Sequence, residues 1–347
     1  MPHPGPPDWL VECLERESAR LGVPGLVAGF QTMDGPPVVA AVGVRKARSK
    51  AAFKPTDAVH IGSCTKAITA SVIGHAIQNG LLAYTTPIGA IDPAWRKSAW
   101  GLVTVGMLLC HESGLPADID WWGLSHSAGT DAVHRAKVLN RLPIRRKQTK
   151  VPEPFQYSNL GYTVLGRLID TVYGMPFEEV VELLVARPLG LQTLGFGPPG
   201  RVNYGEPDAV WGHKINSDAC EPTKDDNPGV MNPAGRVHLS VYDWLRWLSF
   251  QTYVRHDRQE VSGLAALKKL HTPSLRGRYA GGWVRENRKW ANGLALVHTG
   301  SNTYWAATAW VAPETGVVLV AVANAHSTAI LEGLDRIFGV MIRQVVT

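Results

Sequence analysis

The sequence predicts an α/β chain of the α+β type: an antiparallel sheet built from both chain ends, flanked by N- and C-terminal helices, with a mostly helical region inserted between. Three observations lead there. Strand patterns cluster toward the two ends of the chain, and helical periodicity dominates its middle. The first and last segments are helices with one apolar stripe each, and a sheet assembled from both termini gives those stripes something to cover.

In chain order, residues 8–21 (DWLVECLERESARL) place Leu10, Cys13, Leu14 and Leu21 at helical spacing, and Gly22 and Pro24 end the helix. Leu26 to Gln31 and Val38 to Val42 are β-prone runs separated by a DGPP turn, the pattern of an antiparallel hairpin. A brief strand at Val59 to Ile61 leads into an apolar helix from Ser63 to Leu82, packed through Ile68, Val72, Ile73, Ala76 and Ile77. Helical patterns follow at 104–111, 130–141, 160–172 and 177–187, broken by Gly and Pro turns, with little strand signal. After Pro233 come a helix near 240–252, strands at 279–286, 294–299, 304–312 and 316–323, and a closing helix at 327–345. The expected organisation is a discontinuous sheet domain of residues 1–82 and 235–347, an inserted helical domain of residues 83–234, and a site in the cleft between them.

Composition narrows the function classes. Of 347 residues 45% are hydrophobic and 18% charged, with 35 Gly and 24 Pro, which excludes a disordered chain, a coiled coil and a collagen repeat. The longest obvious apolar run, Val317 to Ala323, has strand length and falls far short of the ~18 residues of a bilayer span, so no membrane partner is expected. The start carries four prolines and then acids in place of a basic and then apolar leader, and Cys13, Cys64, Cys110 and Cys220 form no C-x-x-C, so the expectation is a cytoplasmic protein with reduced thiols. Net charge is +6, and Arg141, Arg145, Arg146, Lys147 and Lys150 form the densest basic stretch. No aromatic residues interleave it, so it reads as a solvated face and not a nucleic-acid platform.

The motif search first removes alternatives. G-x-S-x-G, H-E-x-x-H and a Walker A sequence are absent. Gly195, Gly197 and Gly200 spell G-x-G-x-x-G, but Pro198 and Pro199 remove donor N–H groups and no helix opens after them, so the segment reads as a loop without a dinucleotide. Ser63-Cys64-Thr65-Lys66 is an S-x-x-K placed where a strand gives way to a helix. At i and i+3 the two side chains share a helix face, and a desolvated lysine in its neutral form can take the proton of a serine nucleophile. A helix N-terminus also favours the developing alkoxide. Tyr157-Ser158-Asn159 lies in a turn before a helix, and a phenol beside an ammonium can have a depressed pKa and shuttle protons. His298-Thr299-Gly300-Ser301 ends one strand pattern and precedes another; glycine there lets a substrate backbone approach the strand edge.

An S-x-x-K opening a helix, then Y-x-N, then [KH]-[TS]-G on a late strand resembles the serine β-lactamase and penicillin-binding-protein superfamily, most closely its class C, D,D-peptidase and esterase branch. Leu108 to Pro116 (LLCHESGLP), with Glu112 where Thr is usual, Arg187 to Phe196, the Tyr279 to Trp283 run and the stretch ending at Asn324 are similar to the family's habits, so the likeness covers about 80% of the chain. The resemblance implies a β-lactamase/transpeptidase-like fold and acyl transfer through Ser63 without metal or cofactor. It gives Lys66 and Tyr157 the proton transfers, Asn159 the holding of Lys66 and of the substrate's acyl side, and the amides of Ser63 and Ser301 the oxyanion hole, with His298, Thr299 and Gly300 as the substrate-binding strand.

No E-x-x-x-N element follows the tyrosine motif, so the class A base is missing, and His298 stands where the family's β-lactamases carry lysine. A histidine is largely neutral at pH 7, so weak carboxylate affinity is expected. The partner expected is therefore a small-molecule ester, with β-lactamase, D,D-peptidase or D-aminopeptidase-like amide hydrolysis as the alternative and a catalytically silent binding member as the second; the oligomeric state stays open. Trp121, Trp122, Trp283 and Trp305 fall near the motifs and are either pocket walls or core. His60, His111 and His126 read as hydrogen-bonded structural histidines with no metal spacing.

Overall fold

The computed structural model describes residues 5–98, 100–121, 131–140, 154–199, 210–216, 219–252, 268–272 and 277–346. The basic stretch, Trp122, His126 and Gly200 lie outside the described residues. Seven strands form one antiparallel sheet in the order β2-β1-β12-β11-β10-β9-β8. They are β1 (Gly25–Gln31), β2 (Val38–Gly43), β8 (Tyr279–Ala280), β9 (Trp283–Arg288), β10 (Gly293–Ser301), β11 (Ala306–Ala312) and β12 (Val317–Ala323). The two chain ends therefore meet in the middle of the sheet, where Leu26 to Gln31 pair with Val318 to Ala323.

Strands β11 and β12 are buried along their whole length, which is why Val317 to Ala323 reads as one apolar run without alternation. One face is covered by α1 (Asp8–Leu21) and the C-terminal helix (Thr328–Val345), through Leu10, Leu14, Ile330, Leu334, Ile337 and Phe338. Gly22, at φ 62°, ends α1 and donates its N–H to the Ser18 carbonyl. The other face packs against α2 (Thr65–Gln78) and the helix Val241–Ser249, where Trp244, Trp247 and Leu248 are wholly buried. Among the described residues no helix is long and apolar enough to cross a membrane.

Between the sheet's two halves lie α3 (Val105–Leu109), α4 (Asp131–Asn140), α5 (Asn159–Tyr173) and α6 (Phe177–Val181), which agree with the four helical patterns; the last continues as a π turn, Glu182–Ala186. The expectation of little strand in this region is corrected. A three-stranded sheet joins β3 (Ala58–His60), β7 (Val237–Ser240) and β4 (Gly195–Phe196), and β5 (Gly212–Asn216) pairs with β6 (Ala219–Thr223) as a hairpin. The hairpin sequences GHKIN and ACEPT have no apolar alternation, because most of their side chains are not buried; their pairing comes from backbone hydrogen bonding.

Candidate active site

Three separate segments converge on Ser63. A 3-10 turn, Gly62–Cys64, follows β3 and runs directly into α2, so Ser63 and Lys66 stand one turn apart. The start of α5 is capped by Ser158, whose Oγ accepts from the Gly161 N–H; the cap is therefore Ser158, and Asn159 is the first helical residue with its side chain free for other work. The end of β10 supplies the third wall. Its pairing with β9 stops at Val297, so His298 to Ser301 continue as a strand edge without a β9 partner.

Lys66 is wholly buried, and its Nζ lies 3.2 Å from Ser63 Oγ, 2.7 Å from Asn159 Oδ1 and 2.6 Å from the Ala234 carbonyl. Burial pushes its pKa down to about 7, against the attraction of Asp118. The neutral amine has two N–H groups and one lone pair. Asn159 Oδ1 and the Ala234 carbonyl can only accept, so they take the two N–H groups, and the lone pair is left facing the Ser63 hydroxyl. Asn159 is held in that orientation by Asp118, whose two carboxylate oxygens each accept from Asn159 Nδ2 at 3.1 Å. Trp121 Nε1 donates to the same carboxylate at 2.8 Å.

Tyr157 shares a side-chain hydrogen bond with Ser63, and its ring lies 4.8 Å from Lys66 Nζ. The expectation that the ammonium depresses this phenol is corrected: burial outweighs every other influence and raises its pKa well above the usual value of 10. His111 packs against the Tyr157, Tyr162 and Tyr279 rings at 4.4–5.1 Å and accepts the Ser158 N–H on Nδ1, the structural role expected of it.

His298 is 5% exposed. Its Nδ1 lies 2.8 Å from the Thr299 carbonyl, which can only accept, so the proton sits on Nδ1 and Nε2 accepts from the Tyr279 hydroxyl at 3.0 Å. Burial first, and then Lys66, push its pKa down to about 3. The ring is a neutral internal group, and the next residue along the strand, Thr299, is exposed.

The backbones of Gly62–Ser63 and Gly300–Ser301 press together. A Cβ on Gly300 would run into the Ile61 carbonyl and come within 2.9 Å of the Ser63 nitrogen, and one on Gly62, itself at φ 51°, would strike the Ser301 nitrogen. Only glycine at both places lets the Ser63 and Ser301 amides meet. Trp283 and Trp305 are 1% and 2% exposed, so these two candidate pocket walls are core, Trp283 stacking on Trp247. Among the described residues no three His, Cys, Asp or Glu side chains gather as a metal site. Asp118 and Asn302 went unnoticed in the sequence; an acid two residues beyond the LLCHESGLP turn was the available signal for the first, and the residue after H-T-G-S for the second.

Fold and site together define the class: a chain of the β-lactamase fold with a Ser-x-x-Lys pair at the start of its central helix. The profile of the family described as Beta-lactamase matches residues 10–336, and the chain belongs to that family. It is 23% identical over 294 residues to Protein flp of Staphylococcus aureus (strain MW2), covering 82% of this chain and 56% of that protein, so it spans little more than half the length of that curated relative. Its structure superposes on a class C beta lactamase from Rhodobacter sphaeroides with a TM-score of 0.75 at 19% identity, covering 97% and 100% of the two chains. It also superposes on the D-amino acid amidase from Ochrobactrum anthropi SV3 complexed with L-phenylalanine, with a TM-score of 0.77 at 18% identity, covering 96% and 98%.

Proposed function

We propose that this protein hydrolyses small, uncharged acyl esters through a covalent acyl group on Ser63, in the cleft between the sheet and the inserted helices. The observation that carries the reading is the Lys66 amine, wholly buried, with two acceptor-only oxygens fixing its N–H groups and its lone pair on the Ser63 hydroxyl. Ser63 attacks the carbonyl carbon as Lys66 takes its proton, the carbonyl oxygen becomes an oxyanion between the Ser63 and Ser301 amides, and Tyr157, which stays protonated, donates to the leaving alkoxide. The Lys66 ammonium returns its proton to the Tyr157 phenolate; water then attacks the acyl group as the neutral Lys66 accepts its proton, and that proton passes to Ser63 Oγ as it leaves. His298, neutral and bonded internally, offers no cation for a substrate carboxylate, which supports neutral esters over penicillins.

A second reading is favoured by Asp118. It is an exposed carboxylate one carboxamide away from Lys66, and among the described residues no Lys or Arg pairs with it. An acyl group bearing an ammonium would sit well there, which points to aminoacyl esters and amides. The test is intact-protein mass spectrometry after brief exposure to p-nitrophenyl butyrate, alanine p-nitroanilide or a penicillin. The expected result is a butyryl increment on Ser63, absent in Ser63→Ala, with burst release of nitrophenol; a faster anilide reaction selects the second reading, and no increment with any of the three overturns both.

A further inference from the structure

Behind the Ser63 and Ser301 amides lies a buried carboxylate outside every motif considered so far. Asp226, with its side chain 3% exposed, belongs to the stretch between β6 and β7. Its Oδ1 accepts from Asn302 Nδ2 at 2.9 Å and from the Asn227 N–H at 2.8 Å. Its Oδ2 accepts from Arg236 Nε at 3.1 Å and faces His60 Nε2 at 3.3 Å, an electrostatic contact out of line for a full hydrogen bond.

Three of these contacts lead back to the site. His60, wholly buried in β3, accepts the Gly62 N–H on Nδ1 at 3.1 Å, so its own proton is on Nε2, on the side of the ring that lies beside Asp226. That bond holds Gly62 in the left-handed conformation that delivers the Ser63 amide. On the other side, Asn302 follows Ser301 directly. Its Oδ1 accepts from the Tyr304 N–H, Ser301 Oγ accepts from the Thr303 N–H, and Thr303 sits at φ 81°, a strained region for a non-glycine residue. Such a turn persists only when its neighbours fix it, and Asp226 is the anchor of Asn302. Arg236 reaches the third corner: it donates to Asn232 Oδ1, in the short helix Asn232–Gly235 that presents the Ala234 carbonyl to Lys66. Burial alone would raise the Asp226 carboxyl, but His60, Arg236 and Asn302 hold it well below the usual range.

We propose that Asp226 is a positioning residue that sets the oxyanion hole from behind, fixing the Ser63 amide through His60 and Gly62 and the Ser301 amide through Asn302. It touches no reacting atom, and it rests on the acyl-transfer reading of Ser63 only for what the two amides bind.

The experiment compares wild type with Asp226→Asn and Asn302→Ala. With p-nitrophenyl butyrate, both variants are expected to lose about 10- to 100-fold in kcat while KM stays within about threefold, since the hole acts on the transition state and not on substrate uptake. The infrared carbonyl band of the 13C-labelled butyryl group on Ser63 is expected to move to higher wavenumber, because a carbonyl that loses its donors regains double-bond character. An unshifted band beside a lowered melting temperature overturns the proposal and leaves Asp226 merely structural. Should Asp226→Asn fail to fold, Asn302→Ala at the sheet edge carries the same readouts. If wild type takes no acyl group at all, the hydrolase reading fails separately, and the Ser63 and Ser301 amide resonances in 1H–15N spectra decide the positioning claim: they move in Asn302→Ala if it holds and stay in place if it does not.

Discussion

Replacing Asp118 by asparagine removes one negative charge from the mouth of the site while keeping an oxygen to receive Asn159 Nδ2. Asp118 favours the protonated Lys66, so its charge holds that pKa up, and removing it must move the pKa down from about 7. The size follows from the geometry. Bonds of 2.7 and 3.1 Å with one carboxamide between them put the charges about 7 Å apart, and an effective dielectric of ~40–80, suited to an exposed carboxylate, gives roughly 0.6–1.2 kcal/mol, or about 0.4–0.9 pH unit. The base works only when neutral, so the acid limb of kcat/KM for a neutral ester is expected to shift to lower pH by that amount, and to shift less at high salt. Initial rates between pH 5 and 9 at fixed ionic strength measure it. Asp118→Ala, which frees Asn159 to rotate, is expected to lower the plateau as well. A limb that stays in place or moves to higher pH in Asp118→Asn would refute Lys66 as the base.

His298→Lys places a permanent cation beside the strand edge: KM for an ester carrying a carboxylate is expected to fall about tenfold relative to its neutral analogue, as one favourable charge pair of about 1.4 kcal/mol would give, and equal KM values for the pair would count against the account of His298. Gly300→Ala drives a Cβ into the Ile61 carbonyl, so kcat is expected to drop by about 100-fold or more with circular dichroism unchanged; a near-normal rate means the two backbones need not touch. Arg135 is wholly buried and binds Asp170 and Glu178, so Arg135→Leu strands two carboxylates and is expected to cost about 3–5 kcal/mol in urea unfolding; a loss below ~1 kcal/mol would show that the cluster is solvated.

What could be read from the sequence was whatever repeats or is chemically unusual. Helix α1 and the C-terminal helix carry regular apolar stripes between clear stops, and β11 and β12 are long enough and apolar enough to announce themselves. The pairing of β1 with β12 was reachable because both ends needed cover. Strand β7 was not: four residues, VHLS, run straight into a helix capped by Ser240, so the helix signal absorbs them. Ser63, Lys66 and Tyr157 stood out because their spacing makes chemical sense in one short segment each. Asp118, Ala234 and Asp226 act by position alone, a carbonyl above all having no sequence identity, and no spacing rule brings Asp226 within reach of residues 60 and 302.

The separation of the Lys66 and Tyr157 pKa values has a kinetic consequence. Here His298 is neutral and, among the described residues, Lys66 is the single titratable cation at the nucleophile, with a pKa of about 7, while burial keeps Tyr157 protonated far above that range. On the proposed acyl-transfer reading, the amine accepts the proton from Ser63 during acylation and from water during deacylation, and between the two it returns a proton to the phenol that protonated the leaving group. Both half-reactions then need the same unprotonated Lys66. The acid limbs of kcat, set by whichever half-reaction is slower, and of kcat/KM, set by acylation, are expected to coincide to within a few tenths of a pH unit, displaced only as far as the acyl group alters the burial of the amine. Stopped-flow acylation rates and steady-state kcat, measured over one pH series with the same ester, give the two limbs directly. Limbs a full unit or more apart would assign the deacylating base to another group, and Tyr157 would have to be that group.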